Sequence, residues 1–120
     1  MESLKPKFTL PNLPVTDQFV IWVRYKKSFP TDLNAVKNLA DSLAANLNLN
    51  IVKSSSHLFN PGGITHVAIL SQSHLVIHTW PEQNVLRIDL ITCQTLDRNL
   101  VEVVLCKLFP EQELTWNGTM

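Results

Sequence analysis

The chain has 120 residues, enough for one domain with a core of its own. Ten basic and ten acidic residues cancel, so no basic surface is forced on the fold to suit nucleic acid and no polybasic tract suits a membrane. No apolar run nears the ~20 residues of a membrane helix, and two cysteines make no disulfide framework, so a reducing, cytoplasmic setting is expected.

Residues 1–16 contain Pro6, Pro11 and Pro14 and are expected to form an extended N-terminal arm; residues 17–120 are expected to form the single domain. Residues 18–26 are rich in β-branched and aromatic side chains and predict a strand. From 32 to 48, apolar residues fall at Leu33, Val36, Leu39, Ala40, Leu43 and Leu47, a helical spacing with Thr31 or Asp32 as N-cap. A short strand is expected over 51–56, then a turn at Asn60-Pro61-Gly62-Gly63. Strands follow over 65–71 and 74–80. Pro81 and Asn84 bracket a turn, and 85–92 alternate Leu86, Ile88 and Leu90 with Arg87 and Asp89, as in a sheet with one buried face. Residues 97–108 predict a second helix with Cys106 in the core, stopped by Pro110, and 113–116 a last strand. The order β-α-β-β-β-β-α-β, with short turns between strands, predicts an α+β two-layer sandwich: a largely antiparallel sheet with two helices on one face.

The chemistry concentrates in the middle. All four histidines (His57, His66, His74 and His78) lie within 57–78, with Thr65, Ser71, Ser73 and Thr79 among them and Cys93 beyond. Histidine titrates nearest neutrality, but strand-capping or solvent-facing histidines would cluster in the same way. His74 and His78 share a strand face and Cys93 could add a thiolate, but the short-spaced ligand pairs of a zinc motif are missing, and no metal is expected. Ser73 is not in a G-x-S-x-G elbow, and in an ideal strand it would face away from His78.

The longer string Ser71-Gln72-Ser73-His74-Leu75-Val76-Ile77-His78-Thr79-Trp80-Pro81-Glu82, followed by Asp89-Leu90-Ile91-Thr92-Cys93, is more specific. It resembles the signature E-S-H-x-x-I-H-T-W-P-E, then D-x-x-T-C-G, of the prokaryotic S-adenosylmethionine decarboxylase proenzymes. Upstream, His57 to Gly63 resembles that family's H-x-F-x-P-x-G.

The resemblance implies a proenzyme that cuts itself between Gln72 and Ser73. The Ser73 hydroxyl would attack the Gln72 carbonyl, and elimination and hydrolysis would leave a pyruvoyl group as covalent cofactor. That group would form a Schiff base with S-adenosylmethionine, and decarboxylation would supply aminopropyl groups for spermidine and other polyamines. By the same resemblance His78 is the base of the elimination, Thr65 the hydroxyl that assists the acyl shift, and Cys93 the acid that returns a proton to the substrate. Glu82 would accept hydrogen bonds from the ribose, Phe59 would pack on the adenine, and Trp80 would frame the pocket. A homodimer of cleaved protomers is implied, with no nucleic-acid or membrane partner. Gln72 stands where the family has Glu, Gln94 and His66 where it has Gly, and Trp22-Val23-Arg24-Tyr25 lacks an acid of the first strand. If the turn after Cys93 needs positive φ, Gln94 is costly there. The rival readings are a pyruvoyl-dependent arginine or ornithine decarboxylase of the same fold, a non-processing regulatory homologue, and a metal-binding module.

Overall fold

The structure is a computed structural model and describes residues 12–118. In chain order the elements are β1 (Asp17–Arg24), α1 (Leu33–Asn46), β2 (Ile51–Leu58), β3 (Ile64–Leu70), β4 (Ser73–Trp80), β5 (Val85–Thr92), α2 (Arg98–Leu108) and β6 (Glu113–Gly118), with a single 3-10 turn at Pro81–Gln83. The six strands form one sheet in the order β2-β3-β4-β5-β1-β6, and every neighbouring pair is antiparallel. The predicted α+β architecture is the one observed.

Period-two alternation places the core. Phe19, Ile21 and Val23 of β1, Leu75 and Ile77 of β4, and Leu86, Ile88 and Leu90 of β5 point to one face and are buried. Val36, Ala40 and Leu43 of α1 and Val101, Val104 and Leu105 of α2 join them in one apolar cluster. The helices therefore seal one face of the sheet. Asp32 caps α1, its carboxylate accepting from the Ala35 N–H at 2.8 Å, and Asp97 caps α2 by accepting from the Asn99 N–H at 2.9 Å.

The differences from the sequence reading have physical causes. β2 runs on to Leu58 and β6 to Gly118 because each has a continuous ladder partner, Leu58 opposite Ile64 and Gly118 opposite Phe19. Cys106 is exposed, not core: the buried stripe of α2 is Val101, Val104 and Leu105, and Cys106 falls one residue past it. Gln94 does not have positive φ, so the missing glycine costs nothing there; the Thr92 hydroxyl donates to its carbonyl at 2.6 Å. Most of the arm expected over residues 1–16 lies outside the described residues.

His66 is a polar residue inside the apolar layer, with a relative exposure of 1%. Its Nδ1 shares a hydrogen bond with the Ser56 hydroxyl at 2.5 Å, while its Nε2 has no partner among the described residues. Burial pushes the imidazole below its usual pKa; the Asp41 carboxylate opposes that and the Lys37 ammonium adds to it. The folded chain thus resists a proton that the unfolded chain accepts below about pH 6.5. Stability should therefore fall as pH drops through that value toward the folded pKa. Melting temperatures at pH 7.5 and 5.5 should show a smaller acid loss for His66→Leu than for the unaltered chain; equal losses would remove His66 from the acid response.

Candidate active site

The β3–β4 hairpin carries most of the residues singled out in the sequence. Leu70 pairs with Ser73, so the loop between the strands is only Ser71 and Gln72. Gln72 has φ 60, the left-handed region that residues other than glycine rarely occupy. The Ser73 hydroxyl donates to the Ser71 carbonyl at 3.1 Å. The Cys93 thiol, just past the end of β5, donates to the same carbonyl at 3.4 Å. Two groups twenty positions apart in sequence thus converge on one oxygen. Ser71, Ser73, Cys93 and Gln94 line a cleft of about 210 Å³ with Asn48 and Asn50, from the α1–β2 connection. Cys93 is exposed, so its thiol is accessible at the surface and is not a buried apolar filler.

The other predicted residues gather at the far end of the same hairpin. Thr65 pairs with His78 across the ladder, and their side chains share a hydrogen bond of 2.9 Å from Oγ1 to Nδ1. Phe59, Thr65, His78, Trp80 and Glu82 line a second cleft of about 210 Å³. Its floor is tightly built. The Phe59 N–H donates to the Gly63 carbonyl at 2.8 Å, and the Ile64 N–H to the Thr79 hydroxyl at 2.8 Å. Gly63 has φ +101, and a Cβ there would stand 3.2 Å from the Thr79 carbonyl, so this loop needs glycine. Phe59 is 50% exposed, a ring offered to the cleft and not a core residue.

The structure therefore sorts the predicted residues into two groups. Ser73 and Cys93 are together, and Thr65, His78, Phe59, Trp80 and Glu82 are together. Ser73 and His78 are five steps apart along the strand, roughly 16 Å at the usual rise and well beyond hydrogen-bond reach. The expectation of opposite faces fits the strand: Leu75, Ile77 and Thr79 are buried under the helices, while His74, Val76, His78 and Trp80 lie on the open face. His74 and His78 do share a face, but among the described residues no group of three or more His, Cys, Asp or Glu could hold a metal ion.

Several neighbours escaped the sequence reading. Trp22 of β1 stacks on Trp80 with ring centroids 5.6 Å apart, and the Arg87 guanidinium lies over Trp22 at 5.3 Å while its Nε donates to Asp89 at 2.9 Å. Arg24, in the acid-poor stretch of the first strand, sits opposite Glu113 of β6, a pairing that only the register shows. His57 packs edge-on against Phe59, with ring centroids 4.5 Å apart. Trp22 alternates with the buried Ile21 and Val23 and so lies on the open face, and the register of β1 on β5 brings it near Trp80.

Among known proteins, a family model described as S-adenosylmethionine decarboxylase matches residues 23–118. The S-adenosylmethionine decarboxylase proenzyme of Thermodesulfovibrio yellowstonii is 44% identical over 62 residues, which cover 52% of this chain and 46% of that protein. The proenzyme of Thermosipho africanus is 46% identical over 59 residues, covering 49% of this chain and 42% of its own. The matched stretch thus spans about half the length, or a little less, of these curated relatives. The crystal structure of the adenosylmethionine decarboxylase from Aquifex aeolicus superposes with a TM-score of 0.70 over 89% of this chain and 91% of that one, at 20% identity, and so shares the fold. The family match takes in both clefts and every strand from the end of β1 onward, and the chain belongs to the S-adenosylmethionine decarboxylase family.

Proposed function

We propose that this chain is a self-cleaving S-adenosylmethionine decarboxylase proenzyme, with an arm over residues 1–16 and one domain over 17–120 that is cut between Gln72 and Ser73. It acts in the cytoplasm, as a homodimer, supplying aminopropyl groups for spermidine synthesis. The observation that carries this reading is the meeting of the Ser73 hydroxyl and the Cys93 thiol on the Ser71 carbonyl, beside a residue in the left-handed region.

That geometry supports cleavage by the following steps. Ser73 Oγ bonds to the Gln72 carbonyl carbon and the Gln72–Ser73 C–N bond breaks, its nitrogen taking the hydroxyl proton. The amide becomes an ester. Loss of the Ser73 α-proton then expels the Gln72 carboxylate and leaves dehydroalanine, and water replaces its nitrogen as ammonia departs. A left-handed residue at the scissile carbonyl stores about 1–3 kcal/mol that the cut releases. Gln72 in place of Glu leaves the attacked carbonyl unchanged.

The residues around Ser73 fit the group it would become: an open cleft and an adjacent, exposed thiol. A pyruvoyl group supplies the electron sink for decarboxylation, which no natural side chain offers. The exposed Cys93 thiol beside it would return a proton to the substrate carbon. In the other cleft Phe59 and Trp80 offer flat faces to an adenine, and the Glu82 carboxylate can accept from both ribose hydroxyls. A carboxylate and an aromatic in one cleft suit a nucleoside better than free arginine or ornithine, which have neither base nor ribose.

One protomer does not bring its own His78 to its own Ser73. The sheet face away from the helices carries Val20, Val67, Val76 and Ile91, half-buried, with Ile69 and Trp22 exposed. An uncovered apolar face of this kind suits a second layer. We place a second copy against it, so that the β3–β4 turn, at the end of the hairpin where Ser73 can be reached from either face, and the neighbouring Cys93 meet Thr65 and His78 of the partner subunit. In an isologous dimer both composite sites then form at once.

Three outcomes test this reading. Intact mass measurement of the purified protein should show two chains parted at Gln72–Ser73, while Ser73→Ala stays whole; a lasting full-length species in the unaltered protein would sink the proposal. Cys93→Ala should still cut itself but lose about a hundredfold in carbon dioxide release from S-adenosylmethionine, and unchanged turnover would take the thiol out of the mechanism. Ser73→Ala and His78→Ala, each inactive alone, should recover about a quarter of full activity when co-expressed, because mixed dimers hold one intact composite site. No recovery would place the whole site within one chain.

A further inference from the structure

We propose that His57 is a positioning residue for the flat group of the ligand, acting through the ring of Phe59; this rests on the reading of the Phe59–Glu82 cleft as a nucleoside site. His57 does not line the cleft, and Phe59 does. The two rings meet edge to face, with centroids 4.5 Å apart and planes at 68°. That is the arrangement aromatic quadrupoles favour.

The need for such a contact follows from where Phe59 stands. It comes one residue after the end of β2, which is an edge strand of the sheet. Its backbone is tied to Gly63, but its side chain is half exposed. A phenyl ring so placed would sample several rotamers, and a ligand stacking on it would have to halt that motion on binding. His57 lies two residues earlier, on the same side of the strand, and its ring contact restricts the rotamers open to Phe59. Its own position is set by the ladder: His57 pairs with Thr65, and Thr65 pairs with His78. Strand register thus aligns the ring that supports Phe59 with the hydroxyl–imidazole pair at the reacting end. Edge-to-face support requires an aromatic ring, but not an acid or a base.

Steady-state decarboxylation of S-adenosylmethionine by the cleaved enzyme separates the cases. His57→Ala should raise KM about two- to tenfold, the worth of one aromatic pair, with kcat and the extent of self-cleavage unchanged. His57→Phe should restore KM and keep the pH profile of the unaltered enzyme, and His57→Gln should not restore it. A normal KM in His57→Ala, or a His57→Phe enzyme as weak as His57→Ala, overturns the assignment while leaving the decarboxylase reading intact. If the unaltered protein cuts itself but neither binds nor turns over the nucleoside, both fall together.

Discussion

The antiparallel register between β3 and β4 is the constraint on which the other features depend. Thr65 opposite His78 and Leu70 opposite Ser73 are two ends of one ladder. At one end the ladder closes so tightly that only two residues turn the chain, and the second of them adopts a left-handed backbone. At the other end it aligns a hydroxyl with an imidazole. A slip of one residue would turn Thr65 toward the helices and His66 toward the open face, and both clefts would be lost with the core. The packing that makes the fold stable is thus also what places the reactive groups.

The two faces of the sheet divide the work. Beneath the helices the side chains are aliphatic or aromatic, apart from a few hydrogen-bonded polar groups and His66. On the other face a transverse row runs through His57, Thr65, His78, Arg87, Trp22 and Thr115, one residue from each strand in spatial order. Rings and one guanidinium fill much of this row. The Arg87–Asp89 pair is partly exposed and adds little to stability. Its effect is geometric: it fixes the guanidinium over Trp22, which in turn backs Trp80.

Much of this was legible in the amino-acid order. The alternation of Leu86, Ile88 and Leu90 gave the buried face of β5, the spacing of Val36, Ala40 and Leu43 gave the buried face of α1, and Asp32 was one of two expected caps. Most of the residues that line both clefts stood out because a long, specific string carried them, while Asn48 and Asn50 lay outside it. What did not follow was how they are grouped. Spacing along a strand says that Ser73 and His78 lie far apart, but not whether another chain bridges the gap. Cys106 was misplaced because a helical apolar stripe is narrow, and one residue of rotation exposes a side chain. The consequence of Gln94 turned on a backbone angle that a missing glycine does not reveal. The support of Phe59 by His57 needed coordinates, since a ring contact two residues apart depends on rotamers.

The distance between Ser73 and its expected base bears on when the molecule comes alive. On the homodimer reading a newly made chain is inert by construction, since no solitary copy holds both ends of the chemistry. Maturation becomes second order in protein: it is slow while copies are scarce and accelerates as they accumulate. Abundance then serves as the timer, and no separate activating factor is required to delay the cut.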